Sequence, residues 1–238
     1  MLVIITGTSK GIGFELMKQF AQTDVLVIAV SRNIKSIEAY IKKNDLTNIL
    51  PLSIDISTKS GIDKVTKVCK YLNKPVSILI NNAGSLISKP FKKISEKQIT
   101  DVYKTNVFAP FLLTQALLPY MGLPAGKSGK KKGTHIINIS SMGGVQGTAK
   151  FAGLSAYSSS KAALCGLTEC LAEELKGTNI SVNCLALGAV QTEMLSKAFP
   201  GYKAPIKADQ MASYIYEFAL NGHKYYNGKV LPVSLSTP

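Results

Sequence analysis

The sequence predicts a doubly wound α/β fold, a parallel seven-stranded sheet with helices on both faces, and three observations support it. Short β-branched runs alternate with longer amphipathic stretches along the whole chain. The first run ends in a glycine-rich turn that leads directly into a helical stretch. With 46% hydrophobic residues in 238, the chain can bury a large core, yet no run reaches the ~18 apolar residues of a membrane span.

In chain order, the strands are expected at Val3 to Thr6, Val25 to Ser31, Ile49 to Ile54, Val76 to Ile80, His135 to Ser140, Ser181 to Leu187 and Lys229 to Val233. Helical periodicity occupies 11–22, 34–44, 60–73, 95–118, 156–176 and 208–221. Strand and helix in alternation supply the crossovers that parallel pairing requires. One domain, residues 1–238, accounts for the chain, with no internal repeat and no linker.

The formal charge is +14. Its densest cluster, Lys127 to Lys132, stands in a glycine-rich loop without the interleaved aromatics that stack on bases, so it reads as solvated loop and not as a nucleic-acid site. Cys69, Cys165, Cys170 and Cys184 form no C-x-x-C pair and read as buried free thiols of a reducing cytoplasm. The opening Leu2-Val3-Ile4-Ile5 runs straight into the glycine turn, so no secretory leader is expected. His135 and His223 stand apart, and no metal site is expected.

Gly7, Ser9, Lys10, Gly11, Ile12 and Gly13 form the turn after the first strand, with spacing G-x-x-x-G-x-G. Glycines let a backbone turn sharply beside a ligand, and the following helix N-terminus offers free N–H groups to a phosphate. About 20 residues further on, NAD binders carry an acid for the ribose 2′-hydroxyl. Here Ser31 and Arg32 end the second strand and no acid is present. Arg32 offers a bidentate fork for a 2′-phosphate, Ser31 a hydroxyl and Lys10 a second cation, which favours NADP(H).

Tyr157 and Lys161 are four apart at the start of an apolar helical run, so phenol and ammonium share one face. A neighbouring cation favours the phenolate and is expected to draw its pKa toward working pH. Ser140 and Ser141 close the fifth strand at the sheet's carboxyl edge, where ligands bind in open α/β sheets. Asn81-Asn82-Ala83-Gly84 closes the fourth strand with amides that can tie loops together and small residues that admit a ring. Singly, each has a plainer reading as a cap, a turn or a solvated side chain.

Taken in order, the glycine turn, Asn81-Asn82-Ala83-Gly84 and Tyr157/Lys161 resemble the short-chain dehydrogenase/reductase family over nearly the whole chain. The resemblance implies a Rossmann-type domain with strand order 3-2-1-4-5-6-7. It also implies a homodimer or homotetramer packed through the helices near 95–118 and 156–176. It assigns Ser141 a hydrogen bond to the substrate oxygen, Tyr157 the proton, Lys161 the nicotinamide ribose and Asn106 a water leading to that lysine. It places Asp55 by the adenine and Thr192 at the carboxamide, with Ile56, Asn82, Ala83, Gly84 and Val190 also along the cofactor. From the residues alone, Asp55 could equally cap a helix with Ser57.

Three departures from the family pattern stand out. Ser141 and Tyr157 are farther apart than usual, so residues from Gly143 to Gly147 onward carry an insertion, with Gly143 and Gly144 expected to supply unusual backbone angles and Ser140 a possible substitute for Ser141. Leu187-Gly188 replaces the usual Pro-Gly. The segment after Thr192 is short, which fits either an abbreviated, open lid with Met194, Phe199 and Tyr202 as apolar wall or, equally, a solvent loop with incidental aromatics.

The expected activity is NADPH-dependent reduction of a small hydrophobic or aromatic ketone or aldehyde, with hydride from the nicotinamide and a proton from Tyr157. The alternatives are a 3-ketoacyl-acyl-carrier-protein reductase, with that carrier as partner, and a non-catalytic NADP-binding sensor or interaction protein.

Overall fold

A computed structural model of the protein describes residues 1–122 and 133–237; the lysine cluster of 127–132 lies outside them. The strands are β1 (Leu2–Thr6), β2 (Leu26–Ser31), β3 (Ile49–Ser53), β4 (Val76–Asn81), β5 (Thr134–Ser141), β6 (Ile180–Leu187), β7 (Val190–Gln191), β8 (Ile206–Lys207) and β9 (Val230–Val233). The helices are α1 (Gly11–Ala21), α2 (Lys35–Asn44), α3 (Lys59–Leu72), α4 (Glu96–Tyr103), α5 (Ala109–Leu117), α6 (Ser155–Glu174), α7 (Glu193–Ala198) and α8 (Ala208–Asn221). Among them none is long and apolar enough to cross a membrane.

Seven parallel strands form the main sheet in the order β3-β2-β1-β4-β5-β6-β9, the order expected with the last strand of the chain in seventh place. Strand alternation divides the core in two. Val3 and Ile5 pack on one face with Leu16, Phe20, Ile215 and Phe218 of α1 and α8. Leu2 and Ile4 pack on the other with Ile62, Val65, Leu113 and Leu117 of α3 and α5.

The expected helix over 95–118 is interrupted. A π-helical turn, Lys104–Phe108, separates α4 from α5. Pro110 lacks the N–H that an unbroken α-helix would direct at the Asn106 carbonyl, which removes the bond that would hold the normal pitch there. The turn and its flanks leave Ile99, Phe108, Phe111 and Leu112 exposed. Between β6 and α8, β7 and β8 form a second small sheet that two-residue strands are too short to announce in a sequence. The cysteines are not all buried: Cys170 is exposed on the outer side of α6, and Cys165 is half-buried.

Between β4, β5 and α6 the sheet carries a buried polar chain. Asn81 Nδ2 donates to Asn138 Oδ1 at 2.8 Å, Asn138 Nδ2 donates to Thr168 Oγ1 at 2.9 Å, and Thr168 Oγ1 donates to the Leu164 carbonyl at 2.9 Å. All three side chains are at most 3% exposed. Such a chain stabilises only while every member is paired. Asn138→Ala, which leaves two buried groups short of partners, is expected to cost about 2–4 kcal/mol in urea unfolding. A loss below about 1 kcal/mol would show that the chain contributes little.

Candidate active site

The glycine turn is built by tight contact. Thr6 Oγ1 accepts from the Asn82 and Ala83 amides at 3.1 and 3.0 Å, and Asn82 Nδ2 donates to the Thr6 and Gly7 carbonyls at 2.9 and 3.2 Å. A Cβ on Gly13 would lie 2.3 Å from the Gly7 carbonyl oxygen, and one on Gly7, whose φ is +76°, would lie 2.8 Å from Ala83 Cα. Only glycine permits that approach. Helix α1 then begins without a side-chain cap and without an acid in its first turn, which leaves its N–H groups and positive dipole end open to an anion.

That helix end faces a cavity of about 810 Å³ along the carboxyl edge of the sheet. Gly7, Ser9, Lys10, Gly11, Ile12 and Gly13 line it at the turn, and Ser31, Arg32, Asp55 and Ile56 at the ends of β2 and β3. Asn82, Ala83 and Gly84 line it after β4, and Ser141, Tyr157, Lys161, Val190 and Thr192 at the far end. Asn106 does not line it, although Thr105 does. The Asn106 side chain is fully enclosed: Nδ2 donates to the Ser85 carbonyl and Ser160 Oγ at 2.9 Å each, and Oδ1 accepts from Ser85 N–H at 2.7 Å. It clamps the loop after β4 to α6 at Ser160, the residue before Lys161.

Asp55 caps no helix. Its Oδ1 accepts from the Ser57 amide at 2.9 Å and the Ser57 hydroxyl at 2.7 Å, while Thr58 caps α3. The Ser57 hydroxyl holds the carboxyl below its ordinary pKa against the opposing effect of partial burial, and the Ser57 N–H and Arg32 guanidinium add to the lowering. Lys10, exposed at the turn, donates to Glu193 at 2.5 Å.

Around Tyr157 the inserted segment leaves the expected groups together. A 3-10 turn, Met142–Gly144, continues β5 and lies against α6. Neither Gly143 nor Gly144 has unusual backbone angles; Gly144 is required by close approach, since a Cβ there would sit 2.6 Å from the Lys161 carbonyl carbon, while one on Gly143 would crowd only the Ser158 hydroxyl, at 2.9 Å. The positive φ values of the insertion fall instead at Gly147 and Gly153. Ser140 is turned into the protein, its hydroxyl donating to the Lys161 carbonyl at 2.8 Å, and cannot substitute for Ser141. Ser141, on the opposite face of the strand, accepts from the Gly143 amide at 3.3 Å and lines the cavity together with Tyr157.

Lys161 Nζ donates to the Ile139 carbonyl at 2.7 Å and sits 5.8 Å from the centre of the Tyr157 ring. Burial pushes this ammonium down to about 8, opposed by the nearby Cys184 and Cys165 thiols. The same burial pushes the phenol up, with Ser141 opposing. The expected downward shift of the phenol is therefore absent: desolvation raises it, and the Lys161 ammonium is directed at the Ile139 carbonyl and not at the phenol. Tyr157 is thus a protonated acid at neutral pH.

The segment after Thr192 is folded into a short helix, α7, and one strand of a pair, β8. Helix α7 is capped by Thr192, whose Oγ1 accepts from Leu195 N–H at 3.2 Å, and β7 pairs with β8 at its base. Met194 and Phe199 line the cavity, but Tyr202 does not, because its hydroxyl is bonded to Ser236 Oγ at 2.9 Å. Phe151, which sequence reasoning passed over, meets Phe199 edge-on with centroids 5.1 Å apart, joining this segment to the insertion. A lone aromatic in a polar, glycine-containing loop was its only signal. Gly188 is likewise a close-approach glycine, since a Cβ there would overlap the Ser234 side chain.

The comparisons agree with this architecture. The 3-oxoacyl-[acyl-carrier-protein] reductase of Thermotoga maritima is 29% identical over 82% of this chain and 76% of its own. Carbonyl reductase family member 4 of Danio rerio is 31% identical over 81% of this chain and 77% of its own. A 4-hydroxyisoleucine dehydrogenase mutant complexed with NADH and succinate superposes with a TM-score of 0.85 at 24% identity, over 100% of both chains, which shows a common fold. The family model described as short chain dehydrogenase matches residues 1–203. With that match over most of its length, and with the parallel sheet and cavity it frames, the chain belongs to the short-chain dehydrogenase family of oxidoreductases.

Proposed function

We propose that the protein is an NADPH-dependent reductase of small hydrophobic or aromatic ketones or aldehydes, acting in reverse on secondary alcohols. The observation that carries this reading is the meeting of Ser141, Tyr157 and Lys161 at one end of a cavity whose other end is a glycine turn and an arginine. The cavity residues fit a nicotinamide dinucleotide. The uncapped N-terminus of α1 suits the pyrophosphate, and the backbone approach allowed by Gly7 and Gly13 makes room for it. Arg32 with Ser31 suits a 2′-phosphate, and no acid takes the place of that phosphate at the end of β2.

When bound, the dinucleotide supplies the hydride equivalent to the carbonyl carbon. The chain's part is to manage the charge that grows on the carbonyl oxygen. Ser141 donates a hydrogen bond to that oxygen, and Tyr157, held protonated by its burial, delivers the proton to it. Lys161 is anchored by the Ile139 carbonyl and supplies positive charge beneath the phenol and donors toward the ribose. Asn106 keeps Ser85 and Ser160 in place around that lysine. Leu86, Phe151, Leu154, Met194 and Phe199 give the substrate end an apolar wall that favours a hydrophobic carbonyl compound.

The Thermotoga maritima relative favours a second substrate class, a 3-oxoacyl thioester on a carrier protein. NADPH-oxidation assays separate the two, and Tyr157→Phe tests the chemistry. The wild type is expected to reduce free aromatic diketones. The variant is expected to lose about 10²–10⁴-fold in kcat. Fluorescence titration should show it binding NADPH within about twofold of wild type. Activity confined to the carrier-linked compound would overturn the small-carbonyl assignment, and undiminished turnover by the variant would remove Tyr157 as the acid.

A pH profile tests the lysine. Its pKa is lowered to about 8, so Lys161 is cationic below that value and neutral above it. The kcat/KM for NADPH, which reports the free enzyme, is expected to be level between about pH 6 and 7 and to fall as pH rises through about 8. A profile flat to about pH 10 would show that the charge of Lys161 is not used.

A further inference from the structure

The contact between Lys10 and Glu193 joins the phosphate-binding turn to the lid. Thr192, immediately before α7, lies against the turn: its Cγ2 would be 3.6 Å from a Cβ on Gly11. Glu193, the first residue of α7, therefore stands at the groove, where its two carboxylate oxygens take separate cations, Oε2 from Lys10 and Oε1 from Lys197, at 2.5 Å each. Both Glu193 and Lys10 line the cavity, and both are well exposed, at 48% and 64%. Exposed pairs of this kind are weak enough to exchange partners.

We infer that Glu193 is a specificity-determining residue for the cofactor, one that holds Lys10 across the groove and so sets NADPH at a selective disadvantage. The inference rests on the reading of Lys10 as a partner of the 2′-phosphate. To reach that phosphate Lys10 has to leave Glu193, and the strength of the pair is subtracted from the binding of NADPH. NADH carries no 2′-phosphate, requires no such release and binds with the pair intact. The carboxylate itself stays charged throughout the working range, because the hydrogen bonds and charges of Lys10 and Lys197 hold its pKa at about 2. A plainer role exists for the same residue. An acid in the first turn of a helix interacts favourably with the helix dipole, and Glu193 would then act on α7 alone.

Equilibrium titration of NADPH and NADH against the full chain in four forms separates these roles: wild type, Glu193→Gln, Lys10→Met and the double variant. Glu193→Gln is expected to tighten NADPH about threefold relative to NADH, a size set by the modest strength of exposed pairs. In the Lys10→Met background the same substitution is expected to leave the NADPH/NADH ratio within about 1.5-fold, although Lys197 is freed equally in both backgrounds. A Glu193→Gln effect that is missing, or that persists undiminished without Lys10, would overturn the inference while leaving the cofactor reading intact. If Lys10→Met by itself leaves the wild-type ratio unchanged, Lys10 does not serve the phosphate, and the roles of Glu193 and Lys10 in cofactor choice fall together.

Discussion

The distance at which α6 lies from the tip of β5 governs the rest of this site. Gly143 and Gly144 have no side chains to keep the helix off, so the Met142–Gly144 turn rests directly on the backbone around Lys161. At that separation the Ser140 hydroxyl reaches the Lys161 carbonyl and Lys161 Nζ reaches the Ile139 carbonyl. Strand alternation then leaves Ser141 on the face opposite Ser140, toward the phenol. A helix displaced by even one methyl group would lose several of these bonds at once, because they share one close-packed contact and interiors do not deform continuously.

The electrostatics follow from that enclosure. Burial keeps the phenol protonated and at the same time weakens the hold of the ammonium on its proton. Two groups with ordinarily similar pKa values are thereby driven apart, which is the usual basis for separating an acid from a charge stabiliser. At the other end of the cavity the balance is different. Lys10 and Glu193 are exposed and Arg32 lines the cavity beside them, so solvent screens the charges there.

Much of this was legible in the chain. The seven runs of β-branched residues mark the seven strands of the main sheet, since a parallel sheet covered on both faces needs continuously apolar strands. Gly7 and Gly13 mark the turn because contacts that exclude a side chain leave a trace in composition, and Gly11 marks it through its positive φ of +61°. Less legible were features set by tertiary contact. The π-helical turn at Asn106 has Pro110 as its trace, but the periodicity of 95–118 runs straight across it. The two-residue strands β7 and β8 have no period to read, and so their pairing was not foreseen. The phenol's upward shift depends on how deeply α6 is packed, which spacing along one helix does not encode. Phe151 meets Phe199 and Lys10 meets Glu193 only after distant segments have folded together.

A crystal structure with NADP⁺ bound addresses the central claim most directly, namely that the serine, phenol and ammonium act on a carbonyl held over the nicotinamide of a phosphorylated dinucleotide. The nicotinamide is expected beside Tyr157 with its ribose on Lys161, and the 2′-phosphate within hydrogen-bonding distance of Arg32. A nicotinamide turned away from Tyr157, or a 2′-phosphate standing free of Arg32, would contradict it.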